Sequence, residues 1–391
     1  MATGIAPAGF DGYVRPDGRA GVRNVLLVLA VNGLVARAAA RIVAAVSGSM
    51  LVASDYGRGQ FGDDQRVHRL QLEGLGRNPN VGATLVVGAD RVTADAIAAA
   101  IATSAKPVEV VALDDVDEDA LALSARGIAA AARLARDLSR QRRQRCTVSQ
   151  LFVGVECGHS DATSGLVANP LVGAVIDRLV DEGASAVFGE TIEWLGAEHL
   201  LAARAATPQV ADAIRNAVTR RERAVAATGI DLTGNNPGAE NIRGGLSSIE
   251  EKSLGAIAKG GSRTISGVLG IAEWPSQAGL YVMDGPGFSP ESLTAFAAAG
   301  AQLMLFTTGA GNSFCNSLAP TLKVSARPHT IVALPAQIDF DASAVFAGHE
   351  DHAAAAQRLY MLLLEVASGL RTWGEVLGEG AESFVRTGGS L

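Results

Sequence analysis

Arg23–Val46 reads RNVLLVLAVNGLVARAAARIVAAV. Its first nine residues, Arg23–Val31, form a nearly unbroken run of Val, Leu and Ala. The next fourteen, Gly33–Val46, space arginines through an alanine-rich segment. The first pattern is that of a strand buried on both faces, and the second that of a helix lying against it. A strand followed at once by a covering helix is the unit from which parallel sheets are built.

The same alternation continues outward. Met50–Ser54, Gly82–Gly88 and Val108–Leu113 read as further strands, and Thr93–Ala102 as a helix. Asp117–Arg145 reads as one long amphipathic helix whose basic end, SRQRRQR, suits a solvated C-terminus facing the negative pole of the helix dipole. The pattern then restarts. LFVGVEC (151–157), SAVFGE (185–190), TISGVLGIA (264–272), GLYVMDG (279–285), QLMLFTTG (302–309) and HTIVALP (329–335) read as six strands. Helices are expected at Pro170–Glu182, Ala197–Ala206 and Pro208–Ala227. The expected fold is α/β, with two Rossmann-like parallel-sheet domains over residues 1–147 and 148–391.

Composition supports a folded enzyme-like interior. Of 391 residues, 48% are hydrophobic and 19% charged, which excludes disorder as the main state. The 33 Lys and Arg against 40 Asp and Glu give a net charge of −7, so no nucleic-acid partner is expected. The apolar runs are too short for a bilayer, and no membrane partner is expected. Three cysteines at wide spacing fit a reducing compartment, and a cytoplasmic location is expected.

In parallel sheets ligands bind beyond the carboxyl ends of the strands, and several such positions here are polar. Glu156-Cys157-Gly158-His159-Ser160-Asp161 gathers transition-metal ligand types in six residues; its plainer reading is a turn whose Ser160 or Asp161 caps the next helix. Glu190 ends another strand, where a carboxylate can bind a cation or move a proton. The loop at 234–245 carries Asn235, Glu240, Asn241 and Arg243, a set suited to cradling a carboxylate. Ser247 and Glu250 match a capping box. Near the N-terminus, the loop at 12–24 with Arg15, Arg19 and Arg23 and the loop at 55–62 with Arg58 could each bind an anion. A GxGxxG loop paired with its ribose-binding acid is absent, as is a Walker A motif.

Seven segments together resemble the altronate/galactarate dehydratase family, which includes the large subunit of sulfolactate sulfo-lyase. They are GYVRPDGRAGVRN (12–24), EGLGRNPNV (73–81), CGHSDATSGLVANP (157–170), ETIEWLGAEHLL (190–201), GGLSSIEEKSLGAIAKGG (244–261), GLYVMDGPG (279–287) and APTLKV (319–324). The resemblance implies a metal-dependent lyase that removes water from a sugar acid or related hydroxy carboxylic acid, giving a 2-keto-3-deoxy acid. The implied cofactor is a divalent metal, Fe²⁺ or Mn²⁺. It implies His159, Asp161 and Glu190 near the metal, with Cys157, Glu250 and Lys252 nearest the chemistry and Lys252 as acid or base. Arg243 and Lys323 are then substrate-carboxylate clamps, joined by Asn241, Arg58 and Arg23. The pattern also departs from the family: Arg58 stands where relatives usually carry Cys, and Ala310 where many carry Arg. Full-length sugar-acid dehydratases begin with a small β-rich domain, whereas this chain reaches GYVRPDGR almost at once, so a separate small β-rich subunit and an oligomer are expected. Carbon–sulfur elimination from a sulfonated hydroxy acid is the alternative reading, and a non-catalytic scaffold subunit a further one.

Overall fold

The computed structural model describes residues 9–229 and 236–386. It is a mixed α/β structure built on two parallel sheets. The N-terminal sheet has four strands in the order Ser49–Ala53, Val25–Ala30, Val81–Gly88, Val108–Ala112. Residues of the central strand alternate between two apolar layers, as the two-residue period of a strand requires. Leu26, Val28 and Ala30 face the helices Ala36–Ala45 and Ala120–Leu138. Leu27, Leu29 and Val31 face Gly62–Arg77 and Arg91–Ala102. Both faces are covered, so the sequence shows a continuous apolar run rather than an alternating one.

The C-terminal sheet has seven strands, all parallel. Their order is Ile265–Leu269, Leu280–Met283, Ser185–Phe188, Phe152–Cys157, Leu303–Thr307, Thr321–Ser325, Phe340–Asp341. Phe152–Cys157 is the middle strand, so the loop leaving it lies at the centre of the sheet's carboxyl edge.

Three expectations are corrected. The long helix stops at Leu138, and Gln144–Thr147 is instead a strand antiparallel to Gly9–Val14. The basic end therefore lies past the helix; it is exposed as expected except at Arg143, which donates to the carbonyls of Val22 at 3.0 Å and Ala367 at 3.2 Å and stacks over Tyr13. HTIVALP belongs to a helix, Pro328–Ala333, because Pro328 sits in its first turn, where a missing N–H costs nothing. The strand in that region is Thr321–Ser325, whose apolar run is broken by Lys323.

The arginines of the opening loop are structural. Arg15 is buried and donates to Pro79 O at 2.6 Å and Arg23 O at 2.8 Å. Arg23, expected as a substrate contact, pairs with Glu375 at 2.6 Å and donates to Val366 O, which ties the N-terminal loop to the C-terminal part of the chain. EGLGRNPNV has the same office. Asn78 donates to the carbonyls of Ala297 and Ala301, both at 2.8 Å. Asn80 donates to Gln302 O and Leu318 O, both at 2.7 Å, while its side-chain oxygen accepts from Val22 N–H at 2.8 Å. Gly74 packs against the backbone of Ala298 so closely that no side chain fits there. One apolar cluster runs through this seam, from Leu27 and Leu75 to Phe296 and Met304.

Candidate active site

At the carboxyl edge of the seven-stranded sheet, three glutamates, two lysines and a thiol converge. Glu156 and Cys157 end the central strand. Glu190 follows the neighbouring strand and takes a left-handed backbone, φ 61°, which turns the chain into the short helical turn Thr191–Trp194 carrying Glu193. The helix Ile249–Ile257 and the turn Ala258–Gly260 approach from above. Lys252 and Lys259 are seven residues apart there, two helical turns, so both ammonium groups descend on the same side.

Lys259 is the hub. Its Nζ lies 2.8 Å from Glu156 Oε1, 3.1 Å from Cys157 Sγ, and 3.4 Å from both Glu190 Oε2 and Glu193 Oε2. It is 1% exposed. Lys252 Nζ reaches the other oxygen of Glu193 at 2.8 Å and Asn236 Oδ1 at 2.6 Å. The remaining carboxylate oxygens have partners too: Ser292 Oγ donates to Glu156 Oε2 at 2.5 Å, and Ser289 Oγ to Glu190 Oε1 at 3.3 Å.

Proton affinities divide within this cluster. Burial, then the charges of Glu156 and Glu193, push the Glu190 carboxyl well above the usual range, so it holds its proton. Burial also opposes ionisation of Glu193, but Lys252 and Lys259 outweigh it and hold that carboxyl at about 2. Burial opposes the ammonium of Lys259, and the surrounding Cys157, Glu156, Glu193 and Glu190 outweigh it, raising its affinity well above normal. Lys252 is raised in the same way, burial being overcome by Glu193. Burial and the nearby carboxylates push the Cys157 thiol up to about 12. Two carboxyls three residues apart thus take opposite protonation states, the usual mark of an acid–base site.

Above the cluster opens a cavity of about 750 Å³, lined by Cys157, His159, Glu190, Glu193, Asn241 and Lys252 among others. His159 stands exposed on its wall with a left-handed backbone, φ 51°. Its Nδ1 lies 2.7 Å from Gly311 O. A carbonyl only accepts, so Nδ1 carries the hydrogen, which makes Nε2 the acceptor of the neutral ring.

Glu156, Cys157 and Glu190 could hold a metal ion: their ligand atoms lie within 4.8 Å of one another. The donor types suit a divalent transition metal. The ammonium of Lys259 stands among the same atoms, so metal and ammonium are alternative occupants of one set of donors.

The residues expected from sequence separate accordingly. Glu190, Cys157 and Lys252 meet in the cluster, and Asn241 lines the cavity while its amide donates to Ser160 O at 2.8 Å. Asp161 is outside the Glu–Cys–Glu group. It accepts from Thr163 Oγ1 at 2.7 Å and Ser164 N–H at 3.1 Å, the capping arrangement that was its plainer reading. His159 is likewise outside the metal group. Glu250 is exposed on the first turn of its helix, and the cap is shifted by one residue: Ser248 accepts from Glu251 N–H, and Glu251 accepts from Ser247. Arg243 is exposed and does not line the cavity. Lys323 is buried beneath the loop that follows Leu303–Thr307, with its Nζ on the carbonyl of Asn312. Arg58 lines a different cavity, on the N-terminal sheet. Lys259 and Glu193 went unchosen in the sequence. The available signal for Lys259 was its position as the one charge in SLGAIAKGG, a segment otherwise of small and apolar residues.

Acidic and ammonium groups gathered beneath a strand-end cavity suit an enzyme, and the comparisons give its class as lyase. Residues 148–389 match the family model for the C-terminal part of D-galactarate/altronate dehydratase, and residues 12–139 that for the second domain of D-galactarate dehydratase/altronate hydrolase. The chain belongs to this dehydratase family. It is 38% identical to the (2R)-sulfolactate sulfo-lyase subunit beta of Chromohalobacter salexigens, over 97% of each chain. It is 32% identical to the altronate dehydratase of Bacillus subtilis, over 92% of this chain and 74% of that one. With the galactarate dehydratase of Escherichia coli it shares 31% identity over 73% of this chain and 53% of the other. Among the described residues no helix is long and apolar enough to cross a membrane.

Proposed function

We propose that the chain catalyses β-elimination from a small hydroxy carboxylic acid bound in the cavity above Lys259, releasing water from a sugar acid to give a 2-keto-3-deoxy acid. The observation that carries this is the buried cluster of Glu190, Glu193, Lys252 and Lys259 beneath a cavity whose wall also holds His159. The hydrogen on the carbon next to a carboxylate is weakly acidic, so its removal needs both a base and positive charge near the carboxylate. His159 Nε2 takes that proton. The electron pair left behind forms the carbon–carbon double bond as the bond to the neighbouring hydroxyl breaks. Glu190 gives its proton to the departing oxygen, which leaves as water, and the enol product rearranges to the 2-keto acid. Lys252, at the cavity wall, stabilises the charge that gathers on the substrate carboxylate.

A divalent metal, Fe²⁺ or Mn²⁺, held by Glu156, Cys157 and an ionised Glu190 would supply Lewis-acid stabilisation of the departing oxygen in place of the Glu190 proton. Arg243, Lys323, Arg23 and Arg58, expected as substrate contacts, have no place in this arrangement. Carbon–sulfur elimination is the second reading, favoured by the full-length match to a sulfo-lyase subunit. It uses the same proton removal and differs only in the leaving group. That relative's designation as subunit beta supports a partner subunit for this chain, and a small β-rich partner and assembly as an oligomer are part of the same proposal.

The test is an anaerobic screen of aldonic, aldaric and sulfonated hydroxy acids with Fe²⁺ or Mn²⁺, using the chain alone and co-expressed with the product of the neighbouring reading frame. A 2-keto acid without sulfite supports dehydration, and sulfite release supports the second reading. Absence of both products from the co-expressed complex across all three acid classes would refute the elimination chemistry.

A further inference from the structure

The N-terminal sheet has a cavity of its own, of about 770 Å³, within the size range of small-molecule sites. Its position is set by the strand order. In chain order the four strands lie 2-1-3-4, so the chain leaves Val25–Ala30 toward one side and later returns to pair Val81–Gly88 on the other. The helices after the first two strands therefore cover opposite faces, and a crevice opens at the carboxyl ends between strands one and three. Asn32 lines the cavity from the first strand's end and Asp90 from the third's.

The loop from the second strand into the sixteen-residue helix Gly62–Arg77 closes the crevice. Gly57 and Gly59 have positive φ, 113° and 72°. Among the described residues, nothing accepts a hydrogen bond from the backbone N–H groups of Gly57, Arg58 and Gly59. Successive free N–H groups in such a turn form a concave anion receptor. The Arg58 guanidinium makes no ion pair among the described residues, whereas the neighbouring Arg66 and Arg69 are engaged by Asp63 and Glu73. Asp90 caps its own helix by accepting from Thr93 N–H at 2.7 Å; that bond, more than the charge of Arg58, holds its carboxyl below the usual range.

A second feature points to a ligand independently. His68 lines the cavity and is 5% exposed. Its Nε2 lies 3.5 Å from the Val31 carbonyl, which makes Nε2 the donor, and its Nδ1 has no partner. A buried acceptor without a donor costs about 1–3 kcal/mol unless something supplies one.

We propose that this cavity binds a small phosphorylated metabolite, its phosphate held by Arg58 and the N–H groups of residues 57–59 and a hydroxyl of its body donating to His68 Nδ1. The site is separate from the elimination site and does not depend on that reading. Calorimetric titration of the full chain with ribose 5-phosphate, inorganic phosphate and ribose tests it. Submillimolar binding of the ester, weaker binding of phosphate and none of ribose is the expected order. Arg58→Ala should weaken the ester at least tenfold, His68→Phe should lower affinity for the ester and leave phosphate unchanged, and Glu190→Gln should alter neither. No binding of the ester, equal binding by Arg58→Ala, or phosphate binding as tightly as the ester would overturn the proposal.

Discussion

Both sheets of this protein open a cavity of similar size at their carboxyl edges, but they furnish it by opposite means. Beneath the C-terminal cavity, acidic and basic side chains are taken out of water: Lys259, 1% exposed, touches three glutamate carboxyl groups and a thiol. The N-terminal cavity offers the backbone N–H groups of residues 57–59, the exposed Arg58 and the buried His68, with Arg66 and Arg69 already paired. Burying charge is costly unless every group is matched, and removing one partner leaves the others stranded. Backbone groups carry no such risk. The first cavity is therefore suited to moving protons between tuned groups, the second to holding a ligand without changing it.

Altering single atoms in the C-terminal cavity while the fold stays intact should show the largest effect. His159→Gln and Glu190→Gln each remove a proton-transferring group, and each should lower kcat by about a hundred- to ten-thousand-fold. Thermal unfolding should hardly move, since Gln fits the space of a carboxyl that is already neutral. A Glu190→Gln enzyme of normal rate would remove this residue from the chemistry.

Next in size is the hub. Lys259→Met leaves the buried Glu156 without an ammonium and Glu193 with Lys252 alone, and should destabilise the protein by about 3–5 kcal/mol. Mn²⁺ should restore much of that loss, because the metal would take the vacated position. Stronger protection of the wild type than of the variant by Mn²⁺ would show that metal and ammonium do not compete.

The seam between the two sheets offers a smaller effect. Asn80→Ala leaves the carbonyls of Gln302 and Leu318 and the N–H of Val22 without partners. A loss of about 3 kcal/mol is expected in denaturant unfolding, with affinity for ribose 5-phosphate unchanged at low denaturant. Loss of that affinity together with stability would mean that the N-terminal cavity depends on its neighbour.

The smallest effect concerns Glu382, which accepts from Ser317 beside the seam. Burial raises its carboxyl to about 7, against an ordinary 4.5. A carboxyl raised by folding favours the folded state fully below its unfolded value, and that contribution disappears as pH rises through 7. Stability should therefore fall on going from acid to mildly alkaline solution, by an amount on the order of 2 kcal/mol. Glu382→Gln should flatten that slope; an unchanged slope would place the titration elsewhere.

The parallel sheets were legible because doubly covered strands write long apolar runs, as RNVLLVLAV does. Thr321–Ser325 escaped for the converse reason: its buried Lys323 broke the run, since the ammonium reaches a carbonyl that no local pattern reveals. HTIVALP misled because β-branched residues suit strands, and a single proline in the first turn decided otherwise. In the site, Cys157 and Glu190 were readable as polar residues at strand ends. Lys259 was not, because it arrives from a helix a hundred residues away, and its role depends on where that helix comes down. Arg15, Arg23, Asn78 and Asn80 carry the polar look of a binding site, yet all four hold pieces of the chain together.

That last group has a practical corollary. Gly9–Val14 pairs with Gln144–Thr147, and the two asparagines grip carbonyls contributed by residues near 300. A protease cutting in the stretch between Leu138 and Gln144 would sever the covalent path between the halves but not these grips. The nicked product should still elute from a sizing column as a single particle, coming apart only when a denaturing gel is run.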